Sequence, residues 1–277
     1  MVAALASTGS VLAGDSVEDR FVDVGGHRLR ARMVGSGQPA IVLDAGMGES
    51  LETWGDLAAR LAGTSTVVAY DRAGLGESDL GPEPRDALAV ARDLQRLLQG
   101  LGLAPPYVLV GHSLGGLHLR AFADLFPEEV AALVFIDATT EGMHQSLKTE
   151  EGRADVMRQL LDESEGVKAE ARGMPSSLAQ VEAMQAPPDV PAVVITATAP
   201  VSIPEEYREE AEAAGMTEER LRALQQRKFQ LHAHLAAQLP QGEHVLAEES
   251  HHFVYRDQPD LVVDEIVRLV EQIRTPN

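Results

Sequence analysis

The 277-residue chain contains no cysteine. That absence removes disulfides, zinc–thiolate sites and thiol nucleophiles together, and leaves the redox compartment open. Cations are scarce: 23 lysines and arginines stand against 43 aspartates and glutamates, a formal charge of −20. Such a field repels nucleic acid and anionic membranes and disfavours polyanionic substrates, so no nucleic-acid partner is expected. Beyond that, the charge describes a solvated acidic surface. No apolar run approaches the ~20 residues needed to cross a bilayer, and no membrane span is expected. Residues 1–13 are small and apolar but carry no positive n-region, so an N-terminal arm over 1–19 is expected rather than an export signal. A cytoplasmic location follows as the expectation, with export left open. Aromatics make up only 4% and tryptophan occurs once, yet hydrophobic residues reach 44%, enough for a sizeable core.

What is present alternates between buried strands and amphipathic helices. Arg20–Val24 and His27–Val34 read as two strands joined at Gly25-Gly26, a hairpin signal. Ala40–Asp44 is a continuous apolar run, as a strand covered on both faces should be. A helix around Leu51–Leu61 follows, then a strand at Thr66–Tyr70. Leu88, Ala91, Leu94, Leu97, Leu98 and Leu101 recur at helical spacing. Another buried strand ends the run Ala131–Asp137. From Glu141 to about Pro188 no strand is found and the chain is charged and helical. This stretch reads as an insertion of one to three helices over the strand ends, a cap spanning 141–187. Pro191–Thr196 resumes the sheet, an acidic helical stretch runs from Pro200 to about Leu239, and Glu243–Ala247 is the last strand. The closing helix starts at Asp257-Gln258-Pro259. Beta–alpha alternation with buried strands argues for a mostly parallel sheet with helices on both faces, built from 20–140 and 188–277.

The centre of this pattern is Tyr107–Phe126. A short apolar run enters Gly111-His112-Ser113-Leu114-Gly115, and a helix follows at once. G-x-S-x-G between a buried strand and a helix is the setting in which a serine is held in a strained turn with its hydroxyl exposed. Small residues at 111 and 115 make room for that turn. The backbone N–H groups and dipole of the helix N-terminus favour a developing oxyanion there. Ser113 is therefore the candidate nucleophile.

Four segments, in order, resemble the α/β-hydrolase superfamily. Gly111–Gly115 resembles its nucleophile elbow, and DRAGLGES (71–78) its D-x-x-G-x-G-x-S loop. DAGMGESLETW (44–54) resembles its H-G-x-G-x-S-x-x-x-W oxyanion stretch, with Ala45 in place of histidine. SHHFVYRDQP (250–259) resembles the G-H-F segment before the final helix. The resemblance covers the chain from about Arg20 and implies the α/β-hydrolase fold with a helical cap insertion.

A serine hydroxyl needs a base within hydrogen-bond reach. Of nine histidines, His112 adjoins the serine and should point elsewhere. His118 and His144 have no special context, His232 and His234 do not share a helix face, and His244 lies inside the last strand. The resemblance puts His252 at the base position, with His251 as the alternative. In much of the family the acid follows the strand after the cap, but Pro200 stands there. Other members place it one strand earlier, where this chain has Asp137; an Asx-turn is the bland alternative for that residue, and Glu205 and Glu206 are the reserves. The oxyanion donors implied are the amides of Leu114 and, by alignment of Ala45-Gly46-Met47, of Met47, each worth ~3 kcal/mol in the transition state. Asp71 and Arg72 are expected to brace their own loop and Trp54 to pack.

The expectation is a serine hydrolase acting on a small apolar ester or lactone through an acyl-enzyme, needing no metal or organic cofactor. Met143, Met157, Met174 and Met184 would suit an adaptable apolar pocket, or plain cap-to-core packing. Ser113 and Leu114 argue against the aspartate nucleophile and halide-binding tryptophan of dehalogenases of this fold. Amidase or peptidase, C–C hydrolase, perhydrolase and hydroxynitrile lyase chemistry keep the serine and stay open. So does a non-catalytic ligand-binding protein. Oligomeric state is not legible.

Overall fold

The continuous apolar runs become the centre of one eight-stranded sheet in the computed structural model, which describes residues 18–143, 150–184, 187–202 and 217–275. Its strands are β1 (Glu18–Asp23), β2 (Arg28–Val34), β3 (Ile41–Asp44), β4 (Val67–Tyr70), β5 (Tyr107–His112), β6 (Val130–Ile136), β7 (Pro191–Ala197) and β8 (Gln241–Ala247). They lie in the order β1-β2-β4-β3-β5-β6-β7-β8. The β1–β2 and β2–β4 pairs are antiparallel, and every pair from β4 to β8 is parallel.

The helices described are α1 (Gly55–Leu61), α2 (Ala87–Gly100), α3 (Gly115–Leu125), α4 (Glu150–Gln159), α5 (Glu165–Ala183), α6 (Glu218–Gln238), α7 (Val254–Asp257) and α8 (Pro259–Arg274). Alternate strand residues feed two cores, because side chains in a strand point to opposite faces. Val42, Leu109, Phe135 and Val194 join Leu94 and Leu97 of α2, Phe122 of α3, Leu178 of α5 and Leu235 of α6. Leu43, Val110, Ile136 and Ile195 join Leu57 and Leu61 of α1 and Val262, Ile266 and Leu269 of α8. The sheet is thus covered on both sides, with α4 and α5 forming a helical cap between β6 and β7.

Most strand ends shift by one or two residues from expectation, β1 starting at Glu18 rather than Arg20. β8 begins at Gln241 rather than Glu243, since a strand at the sheet edge extends into polar residues when its partner β7 offers the ladder. The turn α7 precedes the closing helix; four residues are too few for periodicity to reveal. His144, Glu205 and Glu206 lie outside the described residues, as do 1–17 and 203–216. Among the described residues no helix is long and apolar enough to cross a membrane.

Strand order reverses around β3, which sits between β4 and β5. In open α/β sheets, the crevice at the carboxyl ends of strands next to such a reversal is where ligands bind. Register aligns these ends: Asp44 faces Gly111, His112 faces Ile136, and Ile136 faces Ile195.

Candidate active site

Ser113 and Asp137 each follow directly on a strand whose last residues are paired, His112 with Ile136, so they emerge side by side. They are the two non-glycine residues with positive φ among the described residues, +50° and +41°. A left-handed backbone costs of order 1 kcal/mol or more at such residues and persists where the surroundings over-determine it. Here the Ser113 amide donates to Ile136 O at 3.1 Å, and Ser113 O accepts from the Thr139 amide at 2.8 Å. The Asp137 amide donates to Ile195 O at 2.8 Å. Serine and aspartate are therefore fixed to one another through the backbone.

Asp137 meets three partners in the cleft. Its Oδ2 lies 2.7 Å from His252 Nδ1, and Oδ1 accepts the Ala197 amide at 3.0 Å. Lys228 Nζ from α6 reaches both oxygens, at 2.9 and 3.0 Å. Burial would raise the Asp137 carboxyl; the His252 hydrogen bond and the Lys228 charge outweigh it and hold the group below the ordinary carboxylate range. The aspartate side chain is 2% exposed while the His252 ring is 47% exposed. An imidazole fixed at Nδ1 by a carboxylate and open at its other nitrogen can take and return a proton. His251 does not share this position: its ring faces Asp257 at 3.7 Å and its side chain is 67% exposed.

The loop after β3 and the turn after β5 supply amides. Gly46 N donates to Glu49 Oε2 at 3.0 Å and Gly48 N to Glu170 Oε2 at 2.9 Å. Between them, the Met47 amide has no protein acceptor among the described residues, and neither does that of Leu114 beside Ser113. His112 is turned away from Ser113 and joins two loops, its Nδ1 lying 3.1 Å from Glu49 Oε2 and its Nε2 3.0 Å from His252 O. Burial would raise the Glu49 carboxyl, but hydrogen bonds from His112 and Thr53 lower it to about 2.

Several residues here escaped the sequence reading. Arg72 does more than brace its own loop: it donates to Asp44, Ala45 O, Gly46 O and Glu170, with Asp44 and Glu170 both buried. Asp71 accepts from its own loop at Glu77 N and also from Leu51 N. His118, given no role from sequence, lies 3.1 Å from Asp44 Oδ2. His232 bonds Ala138 O at 2.7 Å and Thr196 Oγ1 at 2.8 Å, one turn along α6 from Lys228. The chain uses lysine only three times, and that scarcity was the one signal at Lys228. Trp54 packs as expected, against Tyr255 and edge-on to His112.

Beside Lys228 an apolar cleft of about 370 Å³ is lined by Met143, Val201, Leu221 and Leu224. A cavity of about 310 Å³ between Arg120, Leu133, Met184 and Leu239 holds none of the residues above. Among the described residues no group of three or more histidine or acidic side chains could hold a metal ion.

Comparison with known proteins gives three findings. Residues 39–170 match the family described as alpha/beta hydrolase fold. An AB hydrolase superfamily protein of Gibberella zeae is 32% identical over 114 residues, 40% of this chain and 35% of that protein. The chain spans 18–41% of the length of the curated relatives it matches. Among solved structures, a thermophilic esterase from Thermogutta terrifontis superposes with a TM-score of 0.60 at 20% identity, covering 93% of this chain and 100% of that one. The haloalkane dehalogenase of Agrobacterium tumefaciens gives 0.63 at 17% identity, covering 94% and 98%. Two neighbours with such different names make the likeness one of fold alone.

Proposed function

We propose that this chain, which belongs to the α/β-hydrolase superfamily, is a serine hydrolase cleaving a carboxylic ester or lactone through an acyl-enzyme. Ser113 Oγ attacks the carbonyl carbon while His252 takes its proton. Charge collects on the carbonyl oxygen, which the Met47 and Leu114 amides receive. Collapse of the tetrahedral species breaks the bond to the leaving alcohol, and His252 returns the proton to it. Water then attacks the acyl group by the same route and releases the acid. Asp137 holds the imidazole through Nδ1 and stabilises its cation; it does not itself take the proton.

The observation that supports this reading most is the 2.7 Å bond from Asp137 to His252, formed beside a serine held at φ +50°. The two unengaged amides fit an oxyanion, since preorganised donors are worth most where charge develops. An apolar cleft beside Lys228 suits an uncharged acyl or alcohol group of small to medium size.

A fluorophosphonate probe tests the reading. One adduct per chain is expected, on Ser113, and none in Ser113→Ala. Hydrolysis of p-nitrophenyl esters that is lost in the same variant is expected alongside. Labelling that survives Ser113→Ala would overturn the assignment of the nucleophile, and rates confined to an anilide would overturn the ester reading.

A further inference from the structure

Helix α5 of the cap carries a charged side chain, Glu170, among the apolar and small residues it buries. One side of this helix, Gly166, Glu170, Gly173 and Ser177, recurs at the spacing of successive turns. That side is pressed onto the core. A Cβ on Gly166 would collide with the Gly74 carbonyl, and one on Gly173 with that of Arg85. Ser177 Oγ accepts the Ala87 amide at 2.9 Å. The close approach brings the Glu170 carboxylate to Arg72.

Arg72 makes five hydrogen bonds, as many as its guanidinium has N–H groups. Its Nε donates to Glu170 Oε1 at 2.5 Å. One terminal nitrogen donates to Asp44 Oδ1 at 2.8 Å and Ala45 O at 2.7 Å. The other donates to Gly46 O at 2.7 Å and Glu170 Oε2 at 3.2 Å. Glu170 Oε2 also accepts the Gly48 amide at 2.9 Å. The segment around Met47 is thus gripped from both sides, at Gly46 O by Arg72 and at Gly48 N by Glu170. In a trans peptide the N–H points opposite to the C=O of the same unit. Fixing Gly46 O on Arg72 therefore fixes the Met47 N–H in the opposite direction, away from the guanidinium.

We propose that Glu170, acting with Arg72, is a positioning residue for the oxyanion loop. It links the seating of cap helix α5 to the aim of the Met47 amide, so the cap is part of the transition-state site and not only a cover over it. The inference rests on the reading of Ser113 as nucleophile and Met47 as oxyanion donor. A carboxylate that only held the cap down would change the folded fraction, or KM through the pocket. One that aims an oxyanion donor changes kcat, because the donor's worth is realised in the transition state.

The test compares Glu170→Ala, Glu170→Gln and Arg72→Lys with the parent protein, using p-nitrophenyl acetate as substrate and phenylboronic acid as transition-state mimic. Misplacing a catalytic group by about 1 Å can cost ~10²-fold. Expected in Glu170→Ala and Arg72→Lys is a fall in kcat of ~10- to 100-fold per active site, KM within about twofold, and boronate affinity weakened by a similar factor. Glu170→Gln keeps an acceptor but loses the charge and should fall between. Should Glu170→Ala fail to fold, the other two carry the comparison. Unchanged kcat and boronate affinity in folded variants would overturn the proposal, as would losses confined to KM or to the folded fraction. Activity surviving in Ser113→Ala would instead overturn the underlying reading; an inactive Ser113→Ala with unaffected Glu170 variants would overturn the positioning role alone.

Discussion

Two clusters, each an aspartate with a histidine and a basic side chain, flank the strand that leads into Ser113. At the end of β3, Asp44 meets His118 at 3.1 Å and Arg72 at 2.8 Å. Just beyond β6, Asp137 meets His252 at 2.7 Å and Lys228 at 2.9 Å. The chemistry of the parts is nearly identical, and their surroundings differ. The Asp44 cluster is closed, with the His118 side chain 2% exposed and the Tyr70 hydroxyl donating to Asp44 Oδ2 at 2.8 Å. Burial would raise Asp44, but the His118 ring, Arg72 and Tyr70 outweigh it and hold the carboxyl low. The Asp137 cluster opens to the cleft through the His252 ring. An aspartate–histidine pair can serve proton transfer when one ring nitrogen reaches solvent or substrate; sealed, it is a brace.

The largest contrast comes from removing each carboxylate's charge. Asp137→Asn should lower kcat by about 10⁴-fold, as when a triad aspartate is lost, with a fall in thermal midpoint smaller than that of Asp44→Asn because His252 and Lys228 reach solvent. Asp44→Asn should do the reverse: breaking a buried pair costs about 3–5 kcal/mol, read as a large fall in denaturation midpoint, while kcat per folded molecule falls less than tenfold. Equal kinetic losses in the two variants would erase the distinction. Next comes the pair of adjacent histidines. His252→Gln should lose ~10³-fold or more in turnover, and His251→Gln should stay within about twofold, because its ring faces Asp257.

A smaller effect is expected at Lys228. In Lys228→Met the Asp137 carboxylate keeps the imidazole and the Ala197 amide but loses the competing cation, so the acidic limb of kcat/KM moves to higher pH, and Lys228→Arg restores it. An unmoved limb would make the lysine a packing residue. The smallest effect belongs to Glu49, which lies between the clusters through Gly46 N and His112. Its folded value, about 2, is below the ordinary 4.5. A depressed carboxyl contributes stability that is present above the unfolded value and lost as pH falls through the folded one. Between pH 4.5 and 2 the melting temperature should therefore fall less steeply in Glu49→Gln than in the parent.

The sheet was legible because its central strands are unbroken apolar runs such as IVLD at 41–44 and VAALVFI at 130–136, which few other environments permit. Ser113 stood out because strand, glycine turn and helix coincide within a few residues. Asp137 became a candidate because it ends such a run at a position where some members of the resembled family place their acid. The partners across the chain were not legible. Lys228 meets a carboxylate 91 residues away and Glu170 an arginine 98 residues away. Those contacts depend on how α5 and α6 settle on the core, which local periodicity does not encode. His118 read as an unremarkable helical histidine because its partner belongs to β3. Residue type alone does not tell the two clusters apart; exposure, which needs the fold, does.

The most direct test is to quench the reaction with p-nitrophenyl acetate within the first turnover and locate the acetyl group by peptide mass mapping. An acyl-enzyme on Ser113 would give a burst of about one p-nitrophenolate per chain and an acetyl ester on the Ser113 peptide, with no such adduct in Ser113→Ala. Product formed without a burst and without an acylated Ser113, at rates that persist in Ser113→Ala, would contradict it.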